Sequence, residues 1–266
     1  MADLWSAFLT ERDQQVQSLY GSKSAGFGKR PVVIVIDINY NFTGDRREPI
    51  LESVKRWRNS CGAEGWDASM RTGELLREAR AKRLPIIYTT EVDQRADGWD
   101  SGRWADKNAR VREDRKYDRT QAPNRESEDF PGMLPRTNKQ LHTDIEPQTG
   151  DIFIGKSKPS AFFGTMLVPY LVDLNADSLL VCGSTTSGCV RATVVDGFSY
   201  NYRMAVVKEC TFDRFESSHA VNLFDMHMKY ADVVAFDETL EYVRSLEEGL
   251  FDEQMPSLRY PNLATR

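Results

Sequence analysis

Six short runs of apolar, β-branched residues punctuate the chain. PVVIVID (31–37) is nearly continuous, and LPIIYTT (84–90), DIFIGK (151–156), SLLVCG (178–183), MAVVKE (204–209) and DVVAFD (232–237) follow at intervals. Runs of this length without polar alternation predict strands buried on both faces, as in a parallel sheet. Between them the apolar spacing lengthens to that of helices. WDASMRTGELLREARAKR (66–83) places Leu75, Leu76 and Ala79 on one side, and similar patterns cover 164–175, 188–202, 217–230 and 238–248. Strands alternating with helices predict a doubly wound α/β fold, a six-stranded, mostly parallel sheet with helices on both faces.

The flanks follow a different pattern. Residues 1–30 read as an N-terminal arm, with Leu4, Phe8 and Leu9 suggesting a short helix that ends before Gly26 and Gly28. The domain then runs from 31 to 248, and 249–266 form a tail able to dock on a neighbour. Within the domain, 94–130 is dense in both signs of charge and carries Trp99 and Trp104. That is too long for an ordinary connection and reads as a solvated excursion, or as a lid or subunit contact.

Composition narrows the function. A net charge of −5 over 266 residues argues against a nucleic-acid surface. No apolar run approaches the roughly 18 residues that a membrane span needs. The opening MADLWSAFLTERDQQ lacks a signal-peptide pattern, and four cysteines are too sparse for a disulfide framework, so a reduced, cytoplasmic protein is expected.

In an open parallel sheet, ligands bind beyond the carboxyl ends of the strands. Asp37 follows the first strand, Lys156 the third, and Cys189 the turn after the fourth. The chemistry of that trio is coherent. A thiolate is a nucleophile, a helix N-terminus and an ammonium both stabilise it, and a carboxylate can move the proton. N–H groups of the turn 186–189 would face a developing oxyanion, with Gly183 and Gly188 allowing its path. On the residues alone, Cys189 also fits a small buried hydrophobe. A redox pair with Cys182 lacks the C-x-x-C spacing. His142, His219 and His227 gather with no carboxylate or cysteine at ligand spacing, so no metal or other cofactor is expected, and His219 and His227 read as surface or packing residues. D-I-N at 37–39 lacks the second Asp of an aspartyl phosphotransferase.

Three segments together carry a resemblance: PVVIVIDINYNF (31–42), GKSKPSAFFGT (155–165) and VCGSTTSGCVRAT (181–193). With KYADVVAFDETLEYV (229–243), they make residues 26–248 similar to the isochorismatase-like cysteine hydrolases, and within those to the N-carbamoylsarcosine amidase group. The resemblance implies an Asp–Lys–Cys triad of Asp37, Lys156 and Cys189. It also implies a cis peptide at Ser184–Thr185 beside the oxyanion site, with Thr185 able to bond the substrate. The group places an arginine where Arg214 stands, to pair with a substrate carboxylate. A salt bridge from Arg214 to Asp213 or Glu216 is the structural alternative. Asn39 and Phe42 are further candidates to line the pocket. Nicotinamidases of the superfamily carry metal-binding histidines near INYNFTGD, which has none here, and true isochorismatases lack the cysteine.

The expected activity is therefore ammonia release from a small amide or carbamoyl substrate. A carboxylate-bearing one such as an N-carbamoyl amino acid or maleamate comes first, and an uncharged urea such as biuret second. A catalytically silent binding or scaffold relative is the alternative of another class. The resemblance further implies a homo-oligomer, a dimer or a tetramer.

Overall fold

The computed structural model describes residues 4–21, 23–91, 103 and 141–255. Six strands form one sheet: β1 Pro31–Ile36, β2 Ile86–Glu91, β3 Ile152–Lys156, β4 Ser178–Ser184, β5 Arg203–Phe212 and β6 Asp232–Val234. Their spatial order is β3-β2-β1-β4-β5-β6, and every neighbouring pair is parallel. The apolar runs explain the centre: β1 and β4 are buried at every position. Residues covered on both faces need no polar alternation.

The helices are α1 Glu11–Tyr20, α2 Tyr40–Thr43, α3 Ile50–Ser53, α4 Ala63–Ala81, α5 Leu167–Asp173, α6 Arg191–Ser199, α7 Glu216–Lys229 and α8 Phe236–Ser245. From β1 the chain steps outward to β2 and β3; from β4 it steps the other way to β5 and β6. Right-handed crossovers in opposite directions place helices on opposite faces. α4 and α8 pack together over β5, while α6 and α7 pack together by β5 and β6. The direction reverses between β1 and β4, and that switch point opens a crevice at the carboxyl ends of the strands.

Two expectations change in the structure. The helix predicted over 188–202 begins at Arg191, after a wide turn at Thr186–Val190 in which Gly188 leaves helical geometry (φ −110, ψ −106). In the N-terminal arm, Leu4 and Phe8 are exposed and Ser6–Phe8 form only a single 3₁₀ turn. The anchor there is Trp5, buried against Phe224 and His227. A capping box between Thr10 and Asp13 starts the polar helix α1 instead. The first part of the tail folds back on its own chain: Arg30 lies 4.3 Å over the Phe251 ring and donates to the Leu250 carbonyl. The charged segment 94–130, with Trp99 and Trp104, lies outside the described residues apart from Arg103, as do residues 256–266. Among the described residues no helix is long and apolar enough to cross a membrane.

Candidate active site

Asp37 is the first residue beyond β1, held in a left-handed conformation with φ 50. Its N–H donates to the Thr89 carbonyl at 3.1 Å, and the Thr89 hydroxyl donates to Oδ1 at 3.0 Å. From the other side, Ser184 Oγ donates to the Asp37 carbonyl at 2.9 Å. The strands on either side of β1 therefore fix both the backbone and the carboxylate of this residue.

Lys156 ends β3, two strands away from β1. Strands about 4.8 Å apart put β3 roughly 10 Å from β1. A lysine stem spans most of that distance, and Nζ arrives 2.7 Å from Asp37 Oδ2. The same nitrogen donates to Cys189 Sγ at 3.4 Å and to the Lys158 carbonyl at 3.3 Å. Exposure is 0% for Asp37, 1% for Lys156 and 7% for Cys189, so the carboxylate and the ammonium group face each other away from water. The 2.7 Å contact lies off the hydrogen-bond direction, and Oδ2 accepts no directed hydrogen bond among the described residues.

Cys189 sits in the wide turn, two residues before α6. The Ser184–Thr185 peptide is cis. The Thr185 carbonyl accepts from Gly188 N at 2.9 Å and Val190 N at 3.2 Å, which rolls the turn back on itself. A side chain at Gly188 would meet Thr185 Oγ1 at 2.7 Å. Of the four N–H groups expected to face an oxyanion, those of Ser187 and Gly188 are engaged, by Asp213 and by Thr185. The other three cysteines differ in kind. Cys61, Cys182 and Cys210 are fully buried. Burial pushes the Cys61 thiol up to about 12, with Arg214 opposing. A hydrogen bond with Cys210, and then burial, hold the Cys182 thiol well above its ordinary range.

Arg214 lies beyond β5. Its Nε donates to the Asn59 carbonyl at 2.8 Å, and the guanidinium stands 5.4 Å over the Phe42 ring. Among the described residues it makes no ion pair with Asp213 or Glu216; Asp213 Oδ1 accepts its backbone N–H instead, at 2.7 Å. Asn39 is buried and donates to Thr90 Oγ1 at 3.1 Å, while its Oδ1 has no partner among the described residues. No three His, Cys, Asp or Glu side chains among them are grouped as a metal site.

Sequence reasoning gave no functional role to Thr89, Asp213 or His219. Asp213 lies directly beyond β5, so the rule that picked Asp37 and Lys156 reaches it too; Thr89 lies within β2, opposite Ile36. Asp213 Oδ2 accepts from Ser187 N at 2.8 Å and Ser187 Oγ at 2.6 Å. His219 is a packing residue with a specific bond: its Nδ1 lies 2.7 Å from Thr186 Oγ1, and burial holds its pKa below the ordinary value.

The fold and the site define a class: a doubly wound α/β protein that gathers a carboxylate, an ammonium and a thiol at its switch point. The isochorismatase domain model matches residues 31–238, and the chain belongs to that family. It is 28% identical to N-carbamoylsarcosine amidase of an Arthrobacter species, over 94% of this chain and 86% of that protein. It is 40% identical to maleamate amidohydrolase of Pseudomonas putida over 102 residues, so it spans about half of that relative (48%) and 38% of itself. Solved structures show the same fold. A cysteine hydrolase from Pseudomonas syringae superposes with a TM-score of 0.65 at 21% identity, covering 81% of this chain and 93% of that one. N-carbamoylsarcosine amidase from Thermoplasma acidophilum gives 0.56 at 19% identity, covering 78% and 97%.

Proposed function

We propose that this protein is a cysteine-dependent amidohydrolase that releases ammonia from a small, carboxylate-bearing amide or carbamoyl compound through a thioester. The observation that carries the reading is the buried Lys156 ammonium, in contact with Asp37 Oδ2 at 2.7 Å and Cys189 Sγ at 3.4 Å. A cation beside sulfur favours the thiolate. Asp37 takes the thiol proton. The thiolate then forms a C–S bond to the amide carbon, and negative charge moves to the oxygen, which the Thr185 and Cys189 N–H groups receive. Asp37 passes its proton to nitrogen, the C–N bond breaks and ammonia leaves. In the second half Asp37 takes a proton from water, the hydroxyl adds to the thioester, the C–S bond breaks and the thiol is restored.

Arg214 pairs with the substrate carboxylate. Its backbone and Nε are fixed, its charge has no ion-pair partner among the described residues, and a guanidinium matches a carboxylate in geometry. Asn39, Phe42 and Thr185 line the pocket, and the buried Oδ1 of Asn39 is an acceptor for a substrate N–H. The names of the curated relatives, an N-carbamoylsarcosine amidase and a maleamate amidohydrolase, support this substrate class. On this reading the protein acts without a cofactor, as a cytoplasmic homo-oligomer.

The test is ammonia release from N-carbamoylsarcosine, N-carbamoylglycine, maleamate, biuret and nicotinamide. Turnover is expected with the first three, lost in Cys189→Ala and weakened through KM in Arg214→Ala. Turnover of biuret alone, unchanged in Arg214→Ala, would remove the carboxylate clamp. Release that persists in Cys189→Ala would remove the thioester mechanism.

A further inference from the structure

Two functional segments meet on one buried carboxylate. Asp213 is 8% exposed and accepts three hydrogen bonds among the described residues. Two come to Oδ2 from Ser187, through N at 2.8 Å and Oγ at 2.6 Å, and Ser187 stands two residues before Cys189 in the nucleophile turn. The third comes to Oδ1 from Arg214 N at 2.7 Å. Each oxygen serves one segment: Oδ2 the turn, Oδ1 the arginine. The adjacent contact, Thr186 Oγ1 to His219 Nδ1 at 2.7 Å, ties the same turn to α7, the helix that begins two residues after Arg214.

We infer that Asp213 is a positioning residue that sets the distance between the Cys189 nucleophile and the Arg214 carboxylate clamp, and so selects substrates by the spacing between their carboxylate and their scissile carbonyl. The inference rests on the proposed role of Arg214. Its physical basis is the acceptor count. A carboxylate offers acceptors on both sides, whereas an amide in the same place offers one. In Asp213→Asn the NH₂ must face either the Ser187 N–H or the Arg214 N–H, donor against donor in a buried place, so one segment has to move away. The expected sign is informative. Removing a negative charge near Arg214 would by itself strengthen attraction for an anion. Loss of positioning acts in the opposite direction.

The experiment measures alkylation of Cys189 by iodoacetate and by iodoacetamide. Both form an S–C bond and release iodide, and only the first carries a carboxylate. Cys189→Ala supplies the background, the other three thiols being fully buried. Arg214→Ala is expected to lower the iodoacetate-to-iodoacetamide rate ratio by about tenfold, the effect of losing one charge-assisted contact. Asp213→Asn is expected to lower the ratio by a similar factor, and Asp213→Asn/Arg214→Ala no further than Arg214→Ala alone. A ratio that rises or stays put in Asp213→Asn, whatever the melting temperature does, overturns the inference and leaves Asp213 a counter-charge or a structural group. If Asp213→Asn does not fold, Ser187→Ala is read instead. It removes only the Oγ bond on the turn side, so the ratio should fall in the same direction by a smaller factor; an unchanged ratio overturns the inference. Ammonia release is scored separately. Shifted ratios without any turnover would sink the amidohydrolase reading and leave the coupling standing. Turnover with an unmoved ratio would do the reverse.

Discussion

Gly183→Ala tests whether the site depends on how closely β1 and β4 approach. Gly183 has φ +123, a region that other residues rarely enter, and it lies opposite Ile36 in the register of the two central strands. A Cβ built there would stand 2.0 Å from the Ile36 carbonyl oxygen and 2.7 Å from its carbonyl carbon and nitrogen. All three are backbone atoms, so no rotamer change relieves the contact. Restoring an ordinary separation of about 3.4 Å or more requires the strands to part by more than about 1 Å, an overpacking cost of roughly 1–3 kcal/mol. The conformation adds about 1–3 kcal/mol, offset by about 0.4–1 kcal/mol from a stiffer unfolded chain. The net loss is about 3 kcal/mol, a large part of the roughly 5–15 kcal/mol that holds a typical domain together. The same parting separates Asp37, next after Ile36, from Ser184, whose hydroxyl donates to the Asp37 carbonyl at 2.9 Å. A misplacement of about 1 Å at a reacting centre costs on the order of a hundredfold in rate. Gly150→Ala is the control: its φ is +100 but nothing lies within 4 Å of the added Cβ. It should lose only about 1 kcal/mol, with kcat unchanged. Urea unfolding and initial rates on both variants decide the matter. Equal losses of stability in the two, or full activity in Gly183→Ala, would refute the close-approach argument.

Two further outcomes are expected. Burial lowers the His219 pKa in the folded protein, so the unfolded imidazole, near its ordinary value of about 6.5, binds a proton first. Native stability should therefore fall as pH drops from about 6.5 towards the lowered folded value, and His219 should contribute no slope above that window. His219→Gln should flatten the curve there; parallel curves for the two proteins would contradict it. Arg80 donates to the Tyr88 hydroxyl at 2.8 Å, the Glu146 carbonyl at 3.2 Å and Asp151 Oδ2 at 2.7 Å, tying α4 and β2 to the approach to β3. Arg80→Leu should cost about 2 kcal/mol in denaturant unfolding, with kcat per folded molecule little changed. A loss of kcat without a loss of stability would place Arg80 in the catalytic path instead.

The six apolar runs determined the strands, and their alternation with helical spacing determined a parallel, doubly wound sheet. Both are local consequences of period and burial, which is why they are legible in the chain. The rule that ligands gather beyond strand ends then singles out Asp37, Lys156 and Cys189 from the sequence. Tertiary structure decided how they meet. Nothing local to Lys156 says that β3 lies two strands from β1, and only that order lets its stem cross β2 to reach Asp37 at 2.7 Å and Cys189 at 3.4 Å. The start of α6 moved from Gly188 to Arg191 because Thr185, Gly188 and Val190 close a wide turn, a backbone choice that apolar spacing does not encode. Asp213 and Arg214 show the same limit. As residues of a loop they carry no periodic signal, and their meaning comes from Ser187, 26 positions away, and from Asn59, 155 positions away. Periodicity reports which face of an element is buried. Which distant residues that face brings together depends on strand order and register, and those are properties of the whole sheet.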